Sequence, residues 1–253
     1  MSSLRLALLS LRARRARLLG LFAFGAVFLL AGTAAAVLLR GPDGDVHIDD
    51  LFIIGGYPLA SSALLLGWLL GRLPLIATLV LMAGVVADDR RDSLGRLVAA
   101  RPASRLAVYG WRAALLALVA FALCALVMPV FDLLLLGEWA GPATLVLIAA
   151  YVLVYGALTL LLSVWTRGDA WIALLLALLA MSWAALDRAG SLPVSPGARQ
   201  LFGFLLPPQQ QLFALENAFA AIEPIPWPAF WYAAGYALVL LILAGLSLLR
   251  REV

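Results

Sequence analysis

Long apolar runs separated by short polar stretches set the pattern of this chain. The run 18–39 holds about 22 residues, enough for a helix to cross the apolar core of a bilayer. Later runs of similar length lie at 106–131, 143–165, 170–186 and 229–249, with one more inside 57–87. The pattern predicts an all-α membrane protein, one domain over residues 1–253 with six transmembrane helices. Its polar connections are 40–56, 88–105, 132–142, 166–169 and 187–228.

The apolar stretch 51–87 is too long for one ordinary span and is interrupted by Gly71-Arg72-Leu73-Pro74. Two interpretations stay open: one long helix kinked near Pro74, or one span plus a shorter piece in the outer leaflet. Arg72 then lies in the outer part of the membrane. An arginine there is either functional or extends to the outer headgroups, and the second interpretation is favoured.

Two further segments predict helices at the membrane surface. In residues 1–17, leucines at 4, 8 and 11 occur with arginines at 5, 12 and 15, a pattern typical of an amphipathic interfacial helix. The alternative is a basic stretch that only retains the N-terminus on the cytoplasmic side. The connection 187–228 holds seven of the 13 prolines, so it cannot form one helix. Between those prolines, 209–221 predicts a short outer helix whose apolar face is Leu212, Phe213, Leu215 and Phe219.

Composition and charge narrow the class and give an orientation. Hydrophobic residues make up 65% of the chain and charged residues 13%, which excludes a soluble globular domain of this size. With the N-terminus in the cytoplasm, 14 of the 18 basic residues lie on the cytoplasmic side. We therefore expect a multi-pass protein with both termini cytoplasmic, surrounded by lipid bilayer and without a nucleic-acid partner. The Arg-only, Ala/Leu-rich usage suggests a GC-rich bacterial genome. The expected location is a bacterial inner membrane.

Several chemistries are excluded by missing residue types. The chain has no lysine, one histidine and one cysteine, so it can form neither a Walker ATP site nor a Cys/His metal centre. Cys124 is expected to be a small packing residue. His47 lies among outer acids (Asp43, Asp45, Asp49 and Asp50) that could contact a cation but more simply form a solvated loop. An intramembrane enzyme would have to use Ser61, Ser62, Ser163 or Ser182 without a histidine or lysine base.

The connection 88–105 carries the most information about function. Leu94, Leu97 and Val98 share one helical face, and Asp88 and Asp89 precede it where acids favour a helix start. Arg101-Pro102 ends this helix, and Ser104 can cap the next one. A short cytoplasmic helix with an apolar face can dock on a soluble partner. From the residues alone, an ordinary solvated basic loop is an equally good interpretation.

The same stretch resembles the coupling segment of type-2 ABC transporter permeases. The matching residues, in order, are Asp88, Asp89, Arg90, Arg91, Ser93, Leu94, Leu97, Val98, Arg101, Pro102, Ser104 and Arg105. The sequence departs from the family's frequent Gly-Thr-Leu by having Asp92-Ser93-Leu94. Layout is similar over the whole chain, including Leu206-Pro207-Pro208 before the last span and the terminal Arg250-Arg251-Glu252, whereas the motif covers about 18 residues.

The resemblance implies a division of labour between chains. This chain would be the membrane-spanning permease of an exporter, with no cofactor or catalytic residue of its own. ATP would bind to a separate ATPase subunit present in two copies, and a second permease, identical or paralogous, would complete the translocation path. A non-transporting assembly subunit and an intramembrane enzyme remain the alternatives.

Overall fold

The structure is a computed structural model, and it describes residues 14–39, 53–54, 57–58, 72–91, 105–135, 139, 141–190, 195–220 and 224–250. Apart from one short strand pair, the regular structure in these ranges is helical. The elements are α1 (Arg15–Leu39), β1 (Ile53–Ile54), β2 (Tyr57–Pro58), α2 (72–82), α3 (Ala87–Arg91), α4 (Arg105–Leu135), α5 (Pro142–Trp165), α6 (Asp169–Arg188), α7 (Pro196–Leu205), α8 (Gln209–Ala220) and α9 (Trp227–Arg250).

Four of the described helices are long and apolar enough to cross a membrane. They are Arg105–Val130 within α4, then α5, α6 and α9, and they coincide with the last four predicted spans. The prediction of a multi-pass α-helical membrane protein is confirmed at this level. The predicted first span is helical as α1, which begins at Arg15, three residues before the apolar run. Residues 1–13, most of the expected interfacial helix, lie outside the described residues.

Helix α5 lies at the centre of the bundle. It packs against α4, α6, α8 and α9, and its side chains are buried along most of its length. Tyr151 and Tyr155 stack near its middle, with ring centroids 5.8 Å apart. Helix α2 passes close to α5 at Gly156, where a Cβ would lie 3.7 Å from the Cγ2 atom of Thr78. Cys124 is fully buried in the same core, as expected for a packing residue.

The segment 51–87 differs from the single long helix that was one of the two interpretations. Ile53–Ile54 and Tyr57–Pro58 pair as antiparallel strands, which excludes a helix through these positions. Helix α2 contains Pro74, but the helix is interrupted at the turn 83–86 rather than at the proline. The reason is Gly84, whose φ of 67° lies in the left-handed region that ends helices.

The connection 187–228 forms two helices rather than one. Helix α8 was predicted, and Leu212, Leu215 and Phe219 of its predicted apolar face are buried. That face packs on α5, α6 and α9, so protein covers it. Helix α7 was missed, because its start at Pro196 was interpreted only as a helix break. Proline is tolerated in the first turn of a helix, where its missing N–H is not needed.

We predict that Gly84→Ala destabilises the protein. A side chain at a φ of 67° costs about 1–2 kcal/mol, and the new Cβ would collide with the Asp88 carboxylate. Thermal unfolding in detergent should show a lower Tm. Gly235→Ala in α9 is the matched control, since nothing lies near its Cβ position and alanine favours a helix by about 1 kcal/mol. Equal Tm values for Gly84→Ala and the wild type would contradict this account of the turn.

Candidate functional site

The turn 83–86 lies immediately before the segment that sequence analysis singled out. Because α2 ends at residue 82, its last carbonyl groups have no N–H partner within the helix, and the turn supplies N–H groups only to those of Leu79 and Met82. Likewise, the first N–H groups of α3 have no carbonyl partner within that helix. Unpaired backbone groups are costly away from water, so this turn needs partners from elsewhere in the bundle.

Two arginines bind the carbonyl side of the turn. Arg14 donates from Nη1 to the carbonyl oxygens of Leu81 at 2.8 Å and Ala83 at 2.6 Å, and from Nη2 to that of Gly84 at 2.9 Å. Arg17 donates to the same Ala83 oxygen at 2.5 Å. Both arginines come from the N-terminal end of α1 and the residue before it. Positive charge at the C-terminal end of a helix is also favoured by the helix dipole.

Two acceptors bind the N–H side of the turn. The Oγ atom of Ser163 accepts from the backbone N–H groups of Val86 at 3.0 Å and Ala87 at 3.1 Å. The Oδ2 atom of Asp169 accepts from the N–H of Gly84 at 2.7 Å. Ser163 lies near the end of α5 and Asp169 begins α6. Both side chains are buried, so their hydrogen bonds replace those that water would otherwise supply.

The first two acids of the predicted coupling segment form ion pairs with the bundle. Nη1 of Arg112, in α4, donates to both carboxylate oxygens of Asp89 at 2.9 Å. The Oδ2 atom of Asp88 lies 3.3 Å from Arg14 and 3.4 Å from Arg17. Both acids belong to the first turn of α3, which confirms that a helix begins here. Their carboxylates fix that helix to α1 and α4.

We call Arg14, Arg17, Arg112, Ser163 and Asp169 the turn clamp. Together they tie the start of α3 to α1, α4, α5 and α6. Burial, with the positive charges of Arg112 and Arg17, lowers the pKa of Arg14 to about 10. The guanidinium therefore stays charged at neutral pH. The result is a rigid attachment at the start of α3.

The structure describes three side chains among the predicted coupling residues. Asp88 and Asp89 meet the turn clamp, and Arg105 begins α4. Arg90 and Arg91 belong to α3, but their side chains lie outside the described residues. The remaining predicted positions also lie outside them: Ser93, Leu94, Leu97, Val98, Arg101, Pro102 and Ser104. His47 and the four outer acids around it fall outside as well.

A second polar group lies near the middle of α5. Arg72, at the start of the described part of α2, forms an ion pair with Glu216 of α8. Nη1 of Arg72 also donates to the Tyr151 hydroxyl at 3.1 Å, and that hydroxyl donates to Glu216. Gln209 completes the group: its Nε2 donates to Tyr151 at 3.2 Å, and its Oε1 accepts from Tyr155 at 2.9 Å. We call these five residues the Arg72 cluster.

The position of Arg72 corrects one expectation. The residue is 4% exposed, and its guanidinium lies over the Phe213 ring, 5.3 Å from the centroid. It therefore does not extend outward to headgroups, and the favoured interpretation was wrong. The local sequence around Arg72 could not reveal its partner, because Glu216 lies 144 residues further along the chain.

Among the described residues, no group of three or more His, Cys, Asp and Glu side chains could hold a metal ion. Searches of protein-family models, curated proteins and solved structures found no match to this chain.

We predict that Asp89→Ala destabilises the protein by about 3–5 kcal/mol, because it leaves the Arg112 charge buried without its partner. The Asp89 side chain is 9% exposed and that of Arg112 is 10% exposed, so water cannot substitute well. The free energy of unfolding in mixed detergent measures the change.

Arg199→Gln provides the control for this comparison. It removes an ion pair of 2.8 Å whose arginine is 45% exposed, which should cost less than about 1 kcal/mol. Similar losses from the two substitutions would contradict a structural role specific to the turn clamp.

Proposed function

We propose that this chain is the membrane-spanning permease subunit of an ABC transporter that works as an exporter. It would function in a bacterial inner membrane with six spans and both termini in the cytoplasm. A separate ATPase subunit, in two copies, would bind ATP and contact the segment 88–105. A second permease copy, identical or paralogous, would complete the path.

The observation that carries the proposal is the turn clamp. A segment that transmits the motion of a soluble ATPase to membrane helices must be rigidly connected to those helices. Asp88 and Asp89 are joined to α1 and α4, and the backbone just before them is joined to α5 and α6. A solvated loop would not require a buried ion pair, here Asp89 with Arg112, at its start. Transmission also needs two discrete arrangements that nucleotide favours unequally, which a rigid junction permits.

The alternatives explain these contacts less well. For an intramembrane enzyme, Ser163 was a candidate nucleophile, but its Oγ atom already accepts two backbone hydrogen bonds in the turn. Ser182 is exposed on α6, and Ser61 and Ser62 lie outside the described residues. A non-transporting assembly subunit would not need a rigid link between four helices and a cytoplasmic segment.

We predict that Leu94→Asp or Leu97→Asp lowers recovery of the ATPase chain at least tenfold. Burying one leucine contributes about 1.5–3 kcal/mol, and a tenfold change in affinity corresponds to about 1.4 kcal/mol. The measurement is co-purification from membranes that contain this chain and the Walker-motif ATPase that the proposal expects a neighbouring reading frame to encode.

Leu94→Met is the matched control, because it keeps an apolar side chain of similar volume and should retain binding. Membrane insertion of every variant is checked by extraction with detergent but not with carbonate. Undiminished recovery with Leu94→Asp would contradict the proposal, as would a wild-type chain that fails to alter ATP hydrolysis when reconstituted with that ATPase. Turnover of a substrate without nucleotide or partner would favour the enzyme instead.

A further inference from the structure

Helix α2 is held by charged side chains at both ends of its described length. Arg72 lies at one end, in the Arg72 cluster, and the turn clamp binds the chain directly after residue 82. Between these points the helix is packed, with Leu73, Leu75, Ala77, Leu79 and Leu81 buried in the main core. A displacement of one end along the helix axis must therefore strain the contacts at the other.

Helix α5 links the same two places. It contributes Tyr151 and Tyr155 to the Arg72 cluster and Ser163 to the turn clamp. Tyr151 and Ser163 are twelve residues apart, which is about 18 Å at the rise of an α-helix. Two side-by-side helices thus span the distance between the polar groups. The Arg72 cluster contains side chains of both helices, and the turn clamp contains Ser163 of α5 and binds the Leu81 carbonyl of α2.

Helix α8 is built as a separate piece. Pro207 and Pro208 precede it, and Pro224 and Pro226 follow it, so it is not continuous with α7 or α9. Its apolar face, with Leu212 and Leu215, packs on the bundle. Glu216 of α8 makes a charged contact with the interior of the bundle, its ion pair with Arg72. The Glu216 side chain is 17% exposed and the Arg72 side chain is 5% exposed.

A buried ion pair is suited to hold such a piece in one of two discrete positions. Separating the partners would leave the Arg72 charge in an apolar environment, which is strongly unfavourable unless α8 and Arg72 change their surroundings together. Tyr151 and Gln209 contribute neutral hydrogen bonds to the same centre and fix its geometry. The arrangement therefore favours a fully seated α8 over a partly displaced one.

We propose that the Arg72–Glu216 ion pair is a latch that keeps α8 seated, and that α2 couples this latch to the turn clamp. A displacement at the start of α3 is then transmitted to α8, past the stretch of about 18 Å that separates Tyr151 from Ser163 along α5. Its use in transport, as the link between ATPase movement and the far side of the permease, rests on the proposed function. The coupling itself is a property of this chain alone and is tested without a partner.

The test measures how often α8 separates from the helices that it packs against. Ala218, which is 5% exposed on α8, is replaced by cysteine in a Cys124→Ala background, and the purified full-length chain is placed in lipid nanodiscs. The rate of modification by a charged, membrane-impermeant maleimide reports exposure of the new thiol. Glu216→Gln should raise this rate at least tenfold, and Asp89→Asn, in the turn clamp's ion pair with Arg112, should raise it at least threefold.

Asn217→Cys is the matched control, because this neighbouring position is exposed already and should react at one rate in all backgrounds. Where Glu216→Gln does not insert, Arg72→Lys replaces it, keeping the charge but losing the guanidinium geometry. Where Asp89→Asn does not insert, Ser163→Ala replaces it. An unchanged rate at position 218 with the Glu216 or Arg72 variant would overturn the latch.

The double variant separates coupling from two independent effects. Independent sites this far apart give free-energy changes that add to within about 0.5 kcal/mol, so their rate factors would multiply. If the sites are coupled, either single change already frees α2. The modification rate of the double variant should then be at least threefold lower than the product of the two single-variant factors predicts. A multiplicative result, or no response to the clamp variant, would overturn the coupling. None of these outcomes depends on whether the chain binds an ATPase, so failure of the proposed function is recognised separately by the Leu94 test.

Discussion

The backbone break at residues 83–86 is the constraint on which the rest of this structure depends. A helix that ends inside an apolar bundle exposes carbonyl and N–H groups that lipid cannot satisfy. Here charged and polar side chains from α1 and the residue before it, from α5 and from α6 supply the missing partners, and Arg14 alone binds three carbonyl oxygens. Satisfying the turn therefore joins four separate parts of the chain at one point, which makes the turn rigid rather than weak.

The sequence predicted the helices well but not the contacts between them. Apolar runs of spanning length placed α4, α5, α6 and α9 to within a few residues, because a membrane imposes one length and one pattern on any helix that crosses it. The turn at Gly84 and the short helix α7 escaped prediction. Both depend on local backbone geometry within stretches whose average hydropathy looks continuous or whose prolines look disruptive.

The candidate site was predicted in part, and the missing part has a physical cause. Asp88 and Asp89 were recognised as acids at a helix start, yet their arginine partners were assigned only to the cytoplasmic charge excess. Pairings between residues far apart in the chain leave no periodic signal. One weaker sign was available: Ser163 and Asp169 are polar residues at the adjoining ends of two spans, where a polar side chain usually has a specific partner.

The same reasoning explains why two buried polar groups can coexist with a strongly apolar composition. A buried charge without a partner destabilises a bundle by roughly 3–5 kcal/mol, so neither group would be stable with one of its partners removed. Each is tolerable when every member is paired, as in the Arg72–Tyr151–Glu216 arrangement. A bundle that retains such groups at both ends of the described part of α2 gains no stability over an apolar core. What the ion pairs add is a limited number of well-defined positions for α2 and α8.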